Sequence, residues 1–182
     1  MIVVLTGGTG GAKLIEGLAA EIDPAELTII SNTGDDCVFH GLNISPDIDT
    51  IIYTLAGLVD AAKGWGIQGD TFRVLNQLGC LGDDAWFQLG DRDLATHITR
   101  TRLLREGGKL SEVTDRIRRS LGVKATILPM SDDRIETRVA TPQGEISFQE
   151  FFVKEGSALE VLGVRFDGAE SSEYFDPVGS HH

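Results

Sequence analysis

The stretch VVLTGGTGGAKLIEGLAAEI, residues 3–22, limits this chain more than any other feature. Ile2 to Leu5 reads as a short strand buried on both sides, the kind found in parallel sheets. Glycines at 7, 8, 10 and 11 then let the backbone turn tightly. Leu14, Ile15, Leu18, Ala19 and Ile22 recur at helical spacing and predict a helix from Ala12 to Glu21, stopped by Asp23-Pro24. Leu27 to Ile30 is a second buried strand. Strand, glycine turn, helix and strand in that order open a doubly wound sheet with a right-handed crossover.

The rest of the chain extends this pattern. Ser45 as a cap, Pro46 in the first turn and apolar residues from Ile48 to Val59 predict a helix reaching Ala62. Further helices are expected over Thr71 to Leu78, capped by Asp70 and stopped by Gly79, and over Leu94 to Arg105, stopped by Gly107-Gly108. Ser111 caps another, with Val113, Ile117 and Leu121 on one face up to Gly122. Ala125 to Leu128 is a third parallel strand. Arg134 to Ala140 and Glu145 to Phe148, joined by Thr141-Pro142-Gln143-Gly144, form a β-hairpin. A short helix over Gln149 to Lys154 and a strand over Val161 to Phe166 follow. The expected class is α/β: a Rossmann-like parallel sheet with helices on both faces and a β-hairpin insertion. One domain covers residues 1–166, with 167–182 as a disordered tail.

A formal net charge of −12 argues against nucleic acid as a partner, because a phosphate backbone needs clustered Lys and Arg. The same charge repels any phosphate ligand, so local donors or a bridging cation must provide the attraction. No apolar run reaches membrane-spanning length and no basic-flanked leader is present, so no membrane role is expected. Cys37 and Cys80 lie far apart and read as reduced thiols of a cytoplasmic protein. Cys37-x-x-His40 is half a zinc site without a second pair.

The glycine turn misspells both standard phosphate motifs. Counted from Gly7, Ala12-Lys13-Leu14 stands where a Walker loop has Gly-Lys-Ser/Thr, so the magnesium-holding hydroxyl is missing. Counted from Gly8, Lys13 stands on the third glycine of the dinucleotide fingerprint. What remains is their shared physics: unpaired N–H groups at a helix start aimed at an anion. Gly7, Gly8, Thr9, Gly10, Gly11 and Lys13 are the candidate anion-binding residues.

Asp35, Asp36, Asp47 and Asp49 supply carboxylates nearby, and the Asn32 to Asp36 turn should lie beside the glycine turn at the carboxyl edge of the sheet. Acids beside a phosphate pocket make sense with a hard cation such as magnesium between them. The alternatives are local. Asp47 and Asp49 can stabilise a helix N-terminus by roughly 0.3–1 kcal/mol, and Asp35 and Asp36 can be turn formers. Asp91, Arg92 and Asp93 can pair among themselves, or Arg92 can grip a phosphate or a flat ring. Trp65 stacks on a planar ligand or packs, and His97 reads as structural.

Together GGTGGAKL, NTGDD, ISPDIDTIIYTLAG, WGIQGDTF, LGDRDLATHI, ILPMSDD and FQEFFV resemble the 2-phospho-L-lactate transferase family of coenzyme F420 biosynthesis, over Met1 to Phe166. The resemblance implies transfer of a 2-phospholactyl (or phosphoenolpyruvyl) group from a guanosine diphosphate-linked donor to the deazaflavin alcohol Fo, releasing GMP. It also implies Mg2+ and a homodimer. By resemblance Gly7 to Lys13 hold the donor diphosphate, and Asn32 belongs to the same substrate site. Asp47 and Asp49 bind metal and Fo and stand as the catalytic pair, Arg92 contacts Fo, and Trp65 flanks its ring. Family members are substantially longer, so this chain is expected to be truncated at its C-terminus, lacking strands and guanine-side contacts. The rival resemblance is a non-catalytic nucleotide-sugar-binding regulator of the gluconeogenesis-factor type. Cys37-Val38-Phe39 departs from its pattern, and WGIQGDTF favours the transferase.

Overall fold

The computed structural model describes residues 1–173, and the tail residues 174–182 lie outside them. Three parallel strands form the first sheet: β1 (Ile2–Thr6), β2 (Leu27–Ser31) and β5 (Thr126–Pro129), in the order β1-β2-β5. Val4, Ile29 and Ile127 are in register and so share one face. Against that face pack Ala12 and Ile15 of α1 (Thr9–Glu21), Ile48, Ile51 and Ile52 of α2 (Pro46–Leu55), and Val113 and Ile117 of α5 (Leu110–Ser120). This is the parallel α/β sheet flanked by helices that the apolar runs predicted.

Helix α1 starts three residues before the expected Ala12. Glycines are poor helix formers, which places the predicted start too late. Gly11 belongs in the helix because the chain passes so close to β1 that a Cβ there would come 1.5 Å from Thr6 Oγ1. Helix α2 is shorter than expected. Gly57, at φ +67°, ends it, and the N–H groups of Leu58 and Val59 both turn back to the Tyr53 carbonyl. Leu58 and Val59 still pack on the core, which is why they matched the helical pattern.

Two caps are exchanged. Asp70 was expected to cap the helix beginning near Thr71, and Ser45 to cap α2. Instead the Asp70 carboxylate accepts from the N–H groups of Arg92 (2.9 Å) and Asp93 (3.1 Å), at the start of α4 (Asp91–Arg105). Asp91 in turn accepts from Arg73 N (3.2 Å) and Val74 N (3.0 Å), at the start of α3 (Arg73–Cys80). Each aspartate thus caps the other's helix and ties the two starts together. Gly90 permits the approach, since a Cβ there would lie 2.2 Å from Asp70 Oδ2. Replacing Asp70 with alanine should cost about 1–2 kcal/mol in denaturant unfolding. Ser45 Oγ donates to Asp36 Oδ2 (2.6 Å) rather than to α2. Ser111 lies within α5, where Asp132 accepts from its N–H and its hydroxyl.

A hairpin of β3 (Cys37–Phe39) and β4 (Leu42–Ile44) was not foreseen, because each strand has only three residues. His40 (φ 50°) and Gly41 (φ 72°) are both left-handed, the two-residue turn that suits a hairpin's twist. The predicted later hairpin is β6 (Glu136–Thr141) with β7 (Gly144–Ser147). β8 (Gly163–Asp167) adds on the other side of β6, giving the order β7-β6-β8. One face carries the ion-pair ladder of Glu136, Arg138, Glu145, Arg165 and Asp167, while Thr137, Val139 and Thr141 are buried on the other. A single π-helical turn, Glu150–Lys154, replaces the expected short helix, and Ala169–Ser171 form a 3-10 turn within the expected tail.

Candidate functional site

The carboxyl ends of β1 and β2 bring the two turns together. The Asn32 N–H donates to the Thr6 carbonyl at 2.9 Å, so the acidic turn runs beside the glycine turn as the doubly wound pattern requires. The first turn of α2 closes over both. Asn32 Nδ2 donates to Asp47 Oδ2 (3.0 Å), and the Gly8 N–H donates to the same carboxylate. The fit is close: a Cβ on Gly8 would lie 2.4 Å from Asp47 Oδ1, and one on Gly7 would lie 3.4 Å from Oδ2.

Asp35 stands next to this group. Burial, and then the charge of Asp47, push Asp35 up to about 6, against hydrogen bonds from Asn32 and Thr137. Burial likewise raises Asp47, against its bonds to Asn32 and Gly8. Two partly buried carboxylates that repel one another, both lining the same cavity, form a site where a cation would relieve the repulsion. Asp36 lies deeper. Burial raises it well above the usual carboxylate range, and its Oδ1 has no hydrogen-bond partner among the described residues.

Asp49 is placed differently from the expectation. Arg100, 0% exposed, grips it in a bidentate pair, with Nη1 2.9 Å from Oδ2 and Nη2 on Oδ1. Both of its oxygens are therefore engaged with Arg100, while the residue also lines the cavity described below. A chain of buried polar groups continues from there. His97 Nδ1 lies 3.3 Å from Arg100 Nη1, and a guanidinium can only donate, so Nδ1 is the acceptor and the ring proton sits on Nε2. Nε2 faces Asp93 Oδ1 at 3.2 Å, and Tyr53 donates its hydroxyl to the same oxygen at 2.6 Å. Burial alone would raise Asp93, but the hydrogen bonds from His97 and Tyr53 and the charge of Arg100 prevail and hold it below its ordinary value. Sequence reasoning missed Arg100, Asp93 and Tyr53 as one unit. The available signal was polar residues at helical spacing on two helices: Asp49 and Tyr53 on one, Asp93, His97 and Arg100 on the other.

These groups border a cavity of about 240 Å³. Thr9, Asp35 and Asp47 are among its polar lining residues, and Trp65, Phe87, Phe148 and Phe152 contribute aromatic wall. Of the expected residues, Thr9, Asp47, Asp49 and Trp65 line it. Gly7 and Gly8 cradle Asp47, while Gly10 and Gly11 lie in the first turn of α1. Asn32 orients Asp47 and lines a neighbouring apolar cavity with Val139, Phe148 and Phe166. Lys13 is exposed on α1 and is not a lining residue. Arg92 is also exposed outside the cavity, with its Nη1 on the Gln68 carbonyl (3.3 Å). Trp65 is 40% exposed and has the Lys63 ammonium 5.3 Å from its ring.

Among the described residues no group of three or more His, Cys, Asp or Glu is arranged to hold a metal. A pair of carboxylates completed by substrate phosphates and water is how magnesium is commonly held, and Asp35 with Asp47 fits that form. Cys37 and His40 give no zinc site. Burial pushes the Cys37 thiol up to about 12, and His40 Nε2 lies 2.7 Å from the Asp84 carbonyl. No helix among the described residues is long and apolar enough to cross a membrane.

Comparison with known proteins agrees with this architecture. A family profile described as "2-phospho-L-lactate transferase CofD" matches residues 2–178. A 2-phospho-L-lactate transferase from Methanopyrus kandleri is 47% identical, over 94% of this chain and 55% of its own length. A phosphoenolpyruvate transferase from Streptomyces griseus is 45% identical, over 94% of this chain and 56% of its own length. The chain spans about half the length of the curated relatives it matches. Among solved structures, a UPF0052 family member from Bacillus halodurans aligns with a TM-score of 0.53 at 15% identity, over 95% of this chain and 52% of that one. At that identity it shows the fold alone.

Proposed function

The chain belongs to the 2-phospho-L-lactate transferase family, and from that premise we propose that it moves a 2-phospholactyl or phosphoenolpyruvyl group from a guanosine diphosphate-linked donor to Fo, 7,8-didemethyl-8-hydroxy-5-deazariboflavin, in coenzyme F420 biosynthesis. The observation that carries the reading is the contact of the glycine turn with Asp47, which with Asp35 lines a cavity that also has aromatic lining. A diphosphate suits the first, a divalent cation the second, and a flat tricyclic ring the third. The rival regulator reading has no support of comparable identity.

In the reaction, an Fo hydroxyl oxygen bonds to the donor's outer phosphorus. The phosphorus–oxygen bond to GMP breaks, GMP leaves with the electron pair, and the hydroxyl's proton passes to solvent water. Asp35 and Asp47 would hold magnesium, which would supply charge neutralisation at the phosphates. Backbone N–H groups of the glycine turn hold the diphosphate, and Asn32 orients Asp47. The aromatic wall positions the ring and keeps water away, so rate enhancement comes from placement and electrostatics. Asp49, committed to Arg100, fixes the first turn of α2 instead of acting on the substrate.

Incubation with Fo, magnesium and each guanylated donor, in this chain and in a full-length relative, tests the proposal by product mass. Formation of GMP with an Fo phosphodiester is expected. GMP release without Fo modification would refute it.

The raised Asp35 gives a pH signature. Cation binding needs the carboxylate, so magnesium affinity measured by calorimetry should be roughly half its full value near pH 6, approach the full value about a unit higher, and fall towards tenfold per pH unit well below it. The sign for stability is opposite. Between its unfolded pKa of 3.8 and about 6, the folded protein keeps a proton that the unfolded chain has lost, so this group's contribution falls as pH rises through that window.

A further inference from the structure

The donors of the glycine turn already hold an anion that belongs to the protein. Asp47 reaches across from α2, takes the Gly8 N–H, and presses against Gly8 so closely that a side chain there would displace it, while its other oxygen lies in van der Waals range of a Cβ placed on Gly7. Helix α1 has no acidic residue in its first turn, and Gly8 brings no side chain to cap it, so the Asp47 carboxylate supplies that charge from another element. We propose that Asp47 is a specificity-determining residue that admits a diphosphate to the glycine turn only as its divalent-cation complex. The inference rests on the proposed placement of a diphosphate at this turn and adds the rule for its entry.

The physical reason is charge. A free diphosphate must displace Asp47 from the N–H groups and leave that carboxylate beside Asp35, with phosphate anions added to an already acidic neighbourhood. Nothing repays that cost. A diphosphate arriving with a divalent cation lets Asp47 exchange one favourable partner for another, joining Asp35 at the cation while the phosphate takes over the turn. Asn32 bonds both Asp47 and the Gly34 N–H, so it links the acidic turn to this exchange. Lys13, the basic side chain nearest the turn in sequence, is exposed and outside the cavity, leaving the cation as the main source of positive charge.

The test is calorimetric binding of GDP with magnesium or with EDTA. Wild-type protein should bind GDP at least a hundredfold more weakly in EDTA than in magnesium. Asp47→Ala empties the turn, so its binding in EDTA should tighten at least tenfold over wild type while its dependence on magnesium collapses. Asp47→Asn, which keeps the shape without the charge, should show a smaller gain and serves if the alanine variant folds poorly. Asp35→Ala removes a neighbouring charge without opening the turn and should give no comparable gain. Asp47 variants no tighter than wild type in EDTA, or an equal gain from Asp35→Ala, would overturn the proposal. Failure of the wild type to bind GDP in magnesium would remove the proposed function, whereas a gain by Asp47→Ala in EDTA would sustain the gate independently.

Discussion

Arg100→Met should lower the free energy of unfolding by about 3–5 kcal/mol, because it leaves Asp49 buried without a counter-charge. Arg100 is 0% exposed and Asp49 4% exposed, so water cannot take the place of the lost partner. Asp36, also buried and close enough to feel Arg100, loses the same cation. Asp49→Asn should be destabilising for the complementary reason, since it strips the guanidinium of its charge partner. Denaturant unfolding measures both. The double substitution Arg100→Met with Asp49→Leu should recover much of the loss, since two apolar groups need no pairing. If the single variants each cost under about 1 kcal/mol, as a surface pair would, the buried-pair reading fails.

The second large effect is expected at Gly8. Gly8→Ala puts a methyl 2.4 Å from Asp47 Oδ1 and 3.3 Å from its Cγ, so Asp47 must leave the turn. The methyl also stands where the proposed phosphate approaches. GDP binding should therefore fall at least a hundredfold in magnesium, with no compensating gain in EDTA, unlike the response to Asp47→Ala. Stability should fall by about 1–3 kcal/mol from the overpacking. Near-normal GDP binding by Gly8→Ala would show that the diphosphate does not lie against this backbone.

What the sequence revealed and what it hid follow from interaction range. The first βαβ unit was legible because its pattern is local: Val4 and Ile29 sit in adjoining apolar runs, and the glycines between strand and helix announce the turn. The adjacency of Asn32 and the glycine turn followed from topology alone. Asp47 was singled out because its segment carries a motif. The partner of Asp49 was not, since Arg100 lies 51 residues away and no local spacing links them. The exchanged caps failed for a related reason. Asp70 has the right residue type at the right place for the nearer helix, yet the packing of two helix starts gives it to the other. Lys13, singled out for its proximity in sequence, is carried onto an exposed face because the helix begins at Thr9.

Crystals grown with manganese(II) and GDP put the joint site to its most direct test, because manganese is located by anomalous scattering. One peak is expected between the Asp35 and Asp47 carboxylates, touching a diphosphate laid along Gly7 and Gly8. A peak on Asp49 with Asp35 and Asp47 unliganded, or a diphosphate bound away from the glycine turn, would contradict the account.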